Sequence, residues 1–548
     1  MTNNKKENSG SKSKSKLIFE YFYTIPLSLF ISCVFYVYTQ KQVFPVNIFD
    51  PVFEYLQHID EYNFQNVIEE SPGAHLASQG ARAHHPIIIL PGFTSSMLEL
   101  WKGLPGFESH FRKCIWGSSD MLRFIAGDKH AWIEHLKLSQ ETGQDPPGIK
   151  VRAAQGFNAA DFILPGYWVW NKILSCLASV GYDYSSLAVA AFDWRLGMDT
   201  LEKRDFFFTK LASEIELMRN INKRKVMLLG HSLGGLTGFY FLGWVKNTRG
   251  EAWIERNLAG WITIATPMLG APKAISTLLS GEALETTHTG VLDGMAWEYV
   301  FTWKERREIF RTWGSLHGLL PKGGNKIWNP KGNKKGMIEG QIFKNESKEE
   351  NNSDENTISV QADDIMNIFK HIFPSSCYDR ICEAQNSWIN PLIHPLPNIP
   401  NFKIYNFYGV GKPTEYGYVY NGSGKLSQNT DFTIKTNITD ESQNLFKGIY
   451  IDDGDGSVPL VSMGYMGIKG WKNTRLNPAN IKVVVREYKH NPISKLQDLR
   501  GGPETADHAD ILGNHKMMID LLKVVCAFEE IDNLIVSDIQ ERCEEIHA

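Results

Sequence analysis

The chain has 548 residues, of which 43% are hydrophobic and 22% are charged. This composition is typical of a globular protein and argues against a disordered tail, a collagen-like fibre or a polytopic membrane protein. The 57 basic residues nearly balance the 61 acidic ones, so the formal net charge is −4. Nucleic-acid binding is therefore not expected, because it usually requires a basic excess. Length alone suggests about three or four domains.

The N-terminus carries the one marked charge asymmetry, because five of the first 16 residues are lysine. The uncharged stretch Tyr21–Tyr38 follows, and its eighteen residues can just span a hydrocarbon core of about 30 Å. Tyrosines near both ends, and the absence of a small-residue cleavage site, favour a retained anchor over a cleaved signal peptide or a buried helix. The lysines before the stretch indicate a cytoplasmic tail.

We therefore predict a basic tail (1–16), one transmembrane anchor (17–40), a linker or accessory segment (41–84) and a lumenal catalytic domain (85–548). This is a single-pass type II arrangement, expected in the endoplasmic reticulum membrane. Four N-x-S/T sequons are compatible with a lumenal glycoprotein, although such sequons also arise by chance: Asn345, Asn351, Asn421 and Asn437.

The seven cysteines are too few for a disulfide scaffold. Cys377 and Cys382 are the closest pair, and they could close a small loop in an oxidising lumen. No Cys-x-x-Cys or His-x3-His cluster accompanies them, so no metal site is expected.

Short apolar runs alternate with helical patterns from about residue 85 onwards. Strand-like runs occupy 86–90, 187–192, 225–229, 261–265 and 481–485. A helix is predicted before the third run from the spacing of Phe208, Leu211, Ile215 and Met218. The alternation predicts an α/β fold with a mostly parallel sheet that is covered on both faces.

Two regions interrupt this alternation. A lid-like insertion is predicted at about 103–165, and a cap insertion at about 270–400. The cap includes the polar stretch 345–356, whose lack of apolar residues is typical of a disordered loop.

The segment Gly230-His231-Ser232-Leu233-Gly234 fits the G-x-S-x-G pattern, with a strand-like run before it and a helical pattern after it. That context is typical of a nucleophile elbow, in which a sharp turn exposes a serine hydroxyl above the sheet. Ser232 is therefore the candidate nucleophile. His231 beside it is expected to be structural.

A serine nucleophile needs a base and an orienting carboxylate, which follow in the order acid, then histidine, in α/β-hydrolases. The acidic, glycine-rich loop 451–459 could present the carboxylate. It does not fit an EF-hand calcium loop, because Met463 or Gly464 would occupy the position that requires a glutamate. Four histidines follow this loop, and the one before a predicted helix (511–525) is favoured as the base: His508, against His490, His515 and His547.

Eight motifs in this order resemble the lecithin:cholesterol acyltransferase superfamily, and within it the phospholipid:diacylglycerol acyltransferase branch. The similarity covers roughly residues 85–525. The motifs are Pro91–Trp101, Phe111–Gly117, Glu141–Gly148, Ala191–Arg195, Gly230–Gly234, Leu269–Lys273, Asp453–Pro459 and His508–Gly513.

The resemblance implies an α/β-hydrolase fold with Ser232 as nucleophile, Asp455 as triad acid and His508 as general base. It also implies an oxyanion hole made by the backbone N–H groups of Leu233 and Thr94, with Phe93 as the neighbouring possibility. The lid disulfide of the cholesterol-esterifying relatives is not expected, since Cys114 has no obvious partner.

The implied reaction moves a fatty acyl group from a phospholipid to diacylglycerol through a serine acyl-enzyme, without coenzyme A, metal or other cofactor. The alternative is a lumenal phospholipase or lipase, in which water accepts the acyl group. The expected partners are the two lipid substrates and a membrane; no obligate protein partner is indicated. Apolar residues of the lid-like region could contact lipid or could equally be core residues: Met121, Phe124 and Trp132.

Overall fold

The computed structural model describes residues 71–164, 167–282, 301–332, 336–340, 358–421, 426–494, 498 and 500–547. The predicted tail and anchor, most of the 41–84 segment, and the sequons at Asn345 and Asn351 lie outside these ranges. Within them, no helix combines the length and the apolar character that crossing a bilayer requires. Asn421 and Asn437 are both exposed.

Seventeen strands lie within the described residues. In chain order they are β1 (Ile87–Leu90), β2 (Leu98–Lys102), β3 (Cys114–Trp116), β4 (Lys150–Ala153), β5 (Phe162–Leu164), β6 (Tyr167–Trp168), β7 (Leu187–Val189), β8 (Val226–His231), β9 (Leu258–Ile264), β10 (Ile338–Gly340), β11 (Ile358–Val360), β12 (Lys403–Val410), β13 (Lys412–Asn421), β14 (Thr433–Ile434), β15 (Leu445–Phe446), β16 (Ile449–Gly454) and β17 (Val483–Lys489).

The α-helices within the same ranges connect and cover these strands. They are α1 (Pro72–Ser78), α2 (Ser119–Leu136), α3 (Asn158–Asp161), α4 (Asn171–Ser179), α5 (Met198–Asp205), α6 (Phe207–Asn222), α7 (Leu233–Arg249), α8 (Glu251–Asn257), α9 (Pro272–Leu279), α10 (Trp303–Phe310), α11 (Gly314–Gly318), α12 (Gly324–Trp328), α13 (Ile365–Ile372), α14 (Ser375–Asn386), α15 (Leu460–Ile468), α16 (His515–Val525) and α17 (Ile539–Glu544).

The central sheet has six strands in the order β17-β12-β9-β8-β1-β7, and all neighbouring pairs are parallel. Side chains of β1 alternate between two apolar cores. Ile88 and Leu90 pack in the core that contains residues of α7, whereas Ile87 and Ile89 pack in the core that contains residues of α4 and α16. Burial on both faces is the arrangement that a parallel sheet requires. The predicted α/β fold with a parallel sheet is confirmed.

The five predicted strand runs all contain strands of this sheet, with ends shifted by a few residues. The sequence did not predict β12, which lies inside the sheet between β9 and the edge strand β17. Its fully buried Asn406 interrupts the apolar run. That side chain is satisfied by hydrogen bonds, because its amide donates to the Met463 carbonyl and its oxygen accepts from the Thr263 hydroxyl.

A second, mixed sheet has the order β11-β10-β13-β16-β15, with β14 paired to β13. Only β10 and β11 fall within the predicted cap insertion at 270–400; the other strands follow β12 in the chain. The second sheet therefore extends beyond the predicted end of the cap insertion near residue 400. The strand β16 ends at Gly454, directly before the candidate triad acid.

The lid-like region is ordered and packed against the body of the protein. It contains the strands β3 and β4, which both pair with the preceding strand β2 in an antiparallel sheet, and the helix α2, which is kinked at Asp128. Met121, Phe124 and Trp132 of α2 are buried in the main apolar core. The Trp132 indole N–H donates to the Ile115 carbonyl at 2.8 Å. In this structure the three side chains are core residues, and of the two alternatives left open this packing favours the core.

Cys377 and Cys382 are free thiols, so the disulfide suggested for them is wrong. They lie five residues apart on the single helix α14 and point about 140° apart around its axis. All six cysteines in the described ranges are unbonded, including Cys114.

A buried ionic network fastens the lid-like region to the central sheet. The guanidinium of Arg195 lies 2.7 Å from the Asp193 carboxylate and 3.0 Å from that of Asp145, and it also donates to the Leu136 carbonyl. Arg204 binds the same two carboxylates at 2.8 and 3.1 Å. These contacts give the Asp193-Trp-Arg195 motif a structural role.

Arg195→Met should destabilise the protein by about 3–5 kcal/mol, because it leaves buried carboxylates with one cationic partner fewer. The free energy of unfolding in urea measures this loss. Lys203→Met is the matched control, since it removes an exposed Lys–Asp pair on α5 and should cost less than about 1 kcal/mol. Equal losses in the two variants would contradict the assigned role of the network.

Candidate active site

Ser232 lies in the turn between β8 and α7, with φ 53° and ψ −124°. This left-handed conformation is rare for a non-glycine residue and is typical of strained functional turns. The flanking glycines make it possible. A Cβ at Gly234 would lie 1.9 Å from the Leu90 carbonyl oxygen, and one at Gly230 would lie 2.6 Å from the Gly235 nitrogen. The spacing of the G-x-S-x-G motif therefore has a direct steric cause.

Ser232, His508 and Asp455 form one chain of hydrogen bonds. The Ser232 Oγ lies 2.8 Å from His508 Nε2, and His508 Nδ1 lies 2.7 Å from Asp455 Oδ2. The other oxygen of Asp455 accepts from the backbone N–H groups of Ser457 and Val458. Asp455 is fully buried and Ser232 is 7% exposed. The arrangement has the geometry of a Ser-His-Asp triad.

The electrostatic environment of His508 favours a base near neutral pH. Burial alone would lower the pKa of His508, but the charge and hydrogen bond of Asp455, with a further contribution from Asp507, raise this pKa above its ordinary value. A neutral ring that donates from Nδ1 to Asp455 presents Nε2 as the acceptor for the Ser232 hydroxyl.

His231 holds the backbone of His508 in place. Its Nε2 lies 2.7 Å from the His508 carbonyl oxygen, so this nitrogen carries the donated proton. Burial, with a smaller effect of His508, lowers the pKa of His231 to about 3, and the ring is therefore neutral. Sequence reasoning gave His231 a structural role but could not identify this contact, which joins positions 277 residues apart.

The loop after β1 contacts the nucleophile. A Cβ at Gly92 would lie 3.1 Å from the Ser232 Cβ. Thr94 has a φ of 58°, and its carbonyl accepts a hydrogen bond of 2.9 Å from the Trp116 indole. Within the described part of the chain, the backbone N–H groups of Thr94 and Leu233 have no acceptor. They are therefore available to a ligand, and their oxyanion role stays a prediction.

Phe93, the neighbouring oxyanion possibility, anchors this loop through its side chain. Its ring packs edge-on against Trp194 at 5.2 Å and against Trp313 at 5.8 Å. The indole of Trp194 also donates to the Ser96 carbonyl. The loop that carries Thr94, one of the two candidate oxyanion donors, is thus held by aromatic residues from the segment after β7 and from the cap region.

The alternative histidines lie outside the hydrogen-bonded chain. His490 follows β17 and accepts from the Ala506 N–H through Nδ1. His515 is the first residue of α16. Neither ring has a hydrogen bond to Ser232 among the described residues.

Two carboxylates of the acidic loop bind other groups of the protein. Asp453 accepts from the backbone N–H groups of Gly411 and Gly454, and Asp452 binds Arg542 at 2.8 Å. In the ranges that the structure covers, no group of three or more His, Cys, Asp or Glu side chains has the geometry of a metal site.

The chain is similar in sequence to known acyltransferases. The model of the family described as "Lecithin:cholesterol acyltransferase" matches residues 110–515. A "Phospholipid:diacylglycerol acyltransferase" of Schizosaccharomyces pombe is 36% identical, over 87% of this chain and 79% of the relative. Its namesake in Saccharomyces cerevisiae is 35% identical, over 82% of this chain and 71% of the relative. "Phospholipid:diacylglycerol acyltransferase 1" of Arabidopsis thaliana is 30% identical, over 83% of this chain and 82% of the relative. The chain belongs to the lecithin:cholesterol acyltransferase family.

Proposed function

We propose that this protein transfers a fatty acyl group from a phospholipid to diacylglycerol and releases triacylglycerol and lysophospholipid. The observation that carries the proposal is the Ser232–His508–Asp455 chain in a family member whose relatives are named for this reaction.

In the proposed mechanism, His508 takes the proton of Ser232 as its Oγ attacks an ester carbonyl of the phospholipid. The backbone N–H groups of Leu233 and Thr94 stabilise the oxyanion. His508 then protonates the leaving lysophospholipid oxygen, and an acyl-enzyme ester remains on Ser232. The hydroxyl of diacylglycerol attacks this ester in the second half-reaction, with His508 again as base. The first ester supplies the activated acyl group, so these steps involve no coenzyme A and no cofactor.

Hydrolysis is the competing reaction, because water can attack the same acyl-enzyme. A transferase must therefore keep its site dry and filled with lipid. The low exposure of Ser232 supports such a site. We propose that the lid-like region (103–165) and the cap region (from about 270) cover a lipid-binding site above Ser232.

We further propose that the catalytic domain works at a membrane surface, on the lumenal side of the endoplasmic reticulum, tethered by the N-terminal anchor (17–40). The five lysines before that segment support a cytoplasmic tail. The exposed sequons at Asn421 and Asn437 are compatible with a lumenal, glycosylated domain.

A surface patch near the lid-like region supports membrane contact. Trp101 and Phe111 are 46% and 59% exposed, and their rings pack edge-on at 5.8 Å. Lys102, Arg112 and Lys113 are exposed beside them, and Arg112 lies over the Trp101 ring. Aromatic side chains favour the membrane interface, and basic side chains are attracted to anionic lipids. This patch, and not the buried Met121, Phe124 and Trp132, offers apolar surface to a bilayer.

Acyl transfer is tested with phospholipid labelled in its fatty acyl chains and presented with diacylglycerol. We expect the label in triacylglycerol, and we expect Ser232→Ala to abolish its appearance. Label found only in free fatty acid would refute the transferase and favour the phospholipase alternative. Label in neither product would refute both.

The rate of Ser232 labelling by a fluorophosphonate should depend on the protonation of His508. The neutral ring is the active base, and its pKa is raised by Asp455 and Asp507 against the effect of burial. Activity should therefore be lost as the pH falls through a midpoint above the ordinary value of about 6.5. His231 does not titrate in this range. A midpoint at or below 6.5 would contradict this account of the base.

The membrane patch is tested with the variant Trp101→Ser/Phe111→Ser of the full chain. We expect a higher KM for phospholipid in anionic vesicles and an unchanged rate of fluorophosphonate labelling in detergent, because the patch lies outside the triad. Tyr184→Ser is the matched control, since Tyr184 is an exposed aromatic residue elsewhere on the surface. An unchanged KM in the double variant would refute the patch.

A further inference from the structure

Lys412 connects the loop that carries Asp455 with the loop that carries His508. It begins β13, directly after the turn that follows β12 of the central sheet. Its ammonium group forms an ion pair with the carboxylate of Asp507, the residue before His508. No sequence motif pointed to this pair, because its members are 95 positions apart.

On the acid side, Lys412 is in contact with the backbone around Asp455. Lys412 is paired with Gly454 in the register of β13 and β16, and it forms an isolated bridge with Asp455. A Cβ at Gly456 would lie 2.8 Å from the Cδ and 3.1 Å from the Nζ of Lys412. The lysine side chain therefore runs across the residue that follows the triad acid.

A second link joins the same two segments. The Thr414 hydroxyl donates to the Lys412 carbonyl and accepts from the Gly456 N–H at 2.8 Å. Main-chain and side-chain contacts thus hold the start of β13 against the acidic loop (451–459). These contacts fix the backbone from which the Lys412 side chain extends, and so restrict where its ammonium group lies relative to Asp455.

On the base side, Asp507 shapes the turn that presents His508. Its Oδ1 accepts from the Ala509 N–H, and its carbonyl accepts from the Ile511 N–H at 2.9 Å. The other carboxylate oxygen binds Lys412. The N–H of His508 itself donates to the Asp455 carbonyl at 2.9 Å.

We propose that Lys412 is a positioning residue for the general base. Its ion pair with Asp507 holds the turn at 507–511 against the acidic loop (451–459). This keeps His508 Nε2 at hydrogen-bonding distance from Ser232. The inference rests on the proposed role of the triad, but it does not depend on whether diacylglycerol or water accepts the acyl group.

The pair is partly exposed, with side-chain exposures of 34% for Lys412 and 24% for Asp507, so its contribution to overall stability should be small. Its effect should fall on the reaction rate, because displacing a catalytic group by about 1 Å can cost about a hundredfold in rate. A positioning role, which affects the reaction rate, can therefore be distinguished from a structural role, which affects the stability of the fold.

The test compares Lys412→Gln, Asp507→Asn and the double variant in the full-length protein. Asn at 507 keeps an oxygen for the Ala509 N–H and removes only the charge. Lys412→Arg keeps the charge, and Lys203→Gln is the control that removes an exposed Lys–Asp pair on α5. The measurements are the rate of fluorophosphonate labelling of Ser232, kcat and KM with phospholipid and diacylglycerol, and the thermal midpoint.

Each single variant should slow labelling and lower kcat by about tenfold to a hundredfold, with KM and the thermal midpoint near those of the wild type. The double variant should be no slower than Asp507→Asn alone, because both substitutions remove the same ion pair and Asp507→Asn also removes a charge that raises the pKa of His508. Lys412→Arg should restore most of the rate, and Lys203→Gln should change nothing.

The proposal is overturned if Lys412→Gln labels at the wild-type rate, or if the two losses simply multiply in the double variant. It is also overturned if KM rises while kcat and the labelling rate are unchanged, since Lys412 would then contact substrate. Slower labelling of Lys412→Gln would support the proposal even if all acyl groups went to water, so its failure is distinguishable from failure of the proposed transfer.

Discussion

The left-handed backbone of Ser232 is the constraint on which the active site depends. A non-glycine residue in such a conformation costs of the order of 1–3 kcal/mol and persists only where its surroundings enforce it. Here β8 leads into the turn from the centre of the parallel sheet, and α7, whose residues 233–242 are all buried, leads out of it. Gly230 and Gly234 are required because neighbouring backbone occupies the space of their side chains. The hydroxyl is thereby lifted toward the His508 ring.

Long-range contacts then bring the other catalytic groups to this turn. His508 is tied through its N–H to the Asp455 carbonyl, through its ring to the Asp455 carboxylate, and through its carbonyl to His231. The inserted regions are fastened to the same centre, because Arg195 binds the Asp145 carboxylate and two carbonyls of the lid-like segment, while Trp313 of the cap region packs on Phe93. These contacts hold both insertions beside the segments next to Ser232, which is consistent with the proposal that they exclude water from a lipid site.

Local sequence patterns predicted the features that depend on residues close together in the chain. The glycine spacing around Ser232 and the apolar runs of the central sheet were recognisable because each depends on neighbouring residues, whereas Asp455 came from the family resemblance and His508 from both. The strand β12 was not predicted, because the polar Asn406 interrupts its apolar run. Asn406 can be buried only because it forms hydrogen bonds with Thr263 and Met463, which are distant in the chain. The suggested Cys377–Cys382 bridge failed because one helix carries both thiols. The apolar pattern of α2 could not separate core from lipid-facing residues, because both surfaces demand the same side chains.

Under the proposed function, Ser232 carries the acyl group between the two lipids. Mass spectrometry of the rapidly quenched enzyme, incubated with phospholipid alone, measures this directly on the peptide that contains Ser232. We expect a fatty acyl mass on that serine, which disappears on addition of diacylglycerol as triacylglycerol forms. Triacylglycerol formed at the wild-type rate by Ser232→Ala, or an acyl adduct that diacylglycerol cannot discharge, would refute an acyl-enzyme on Ser232.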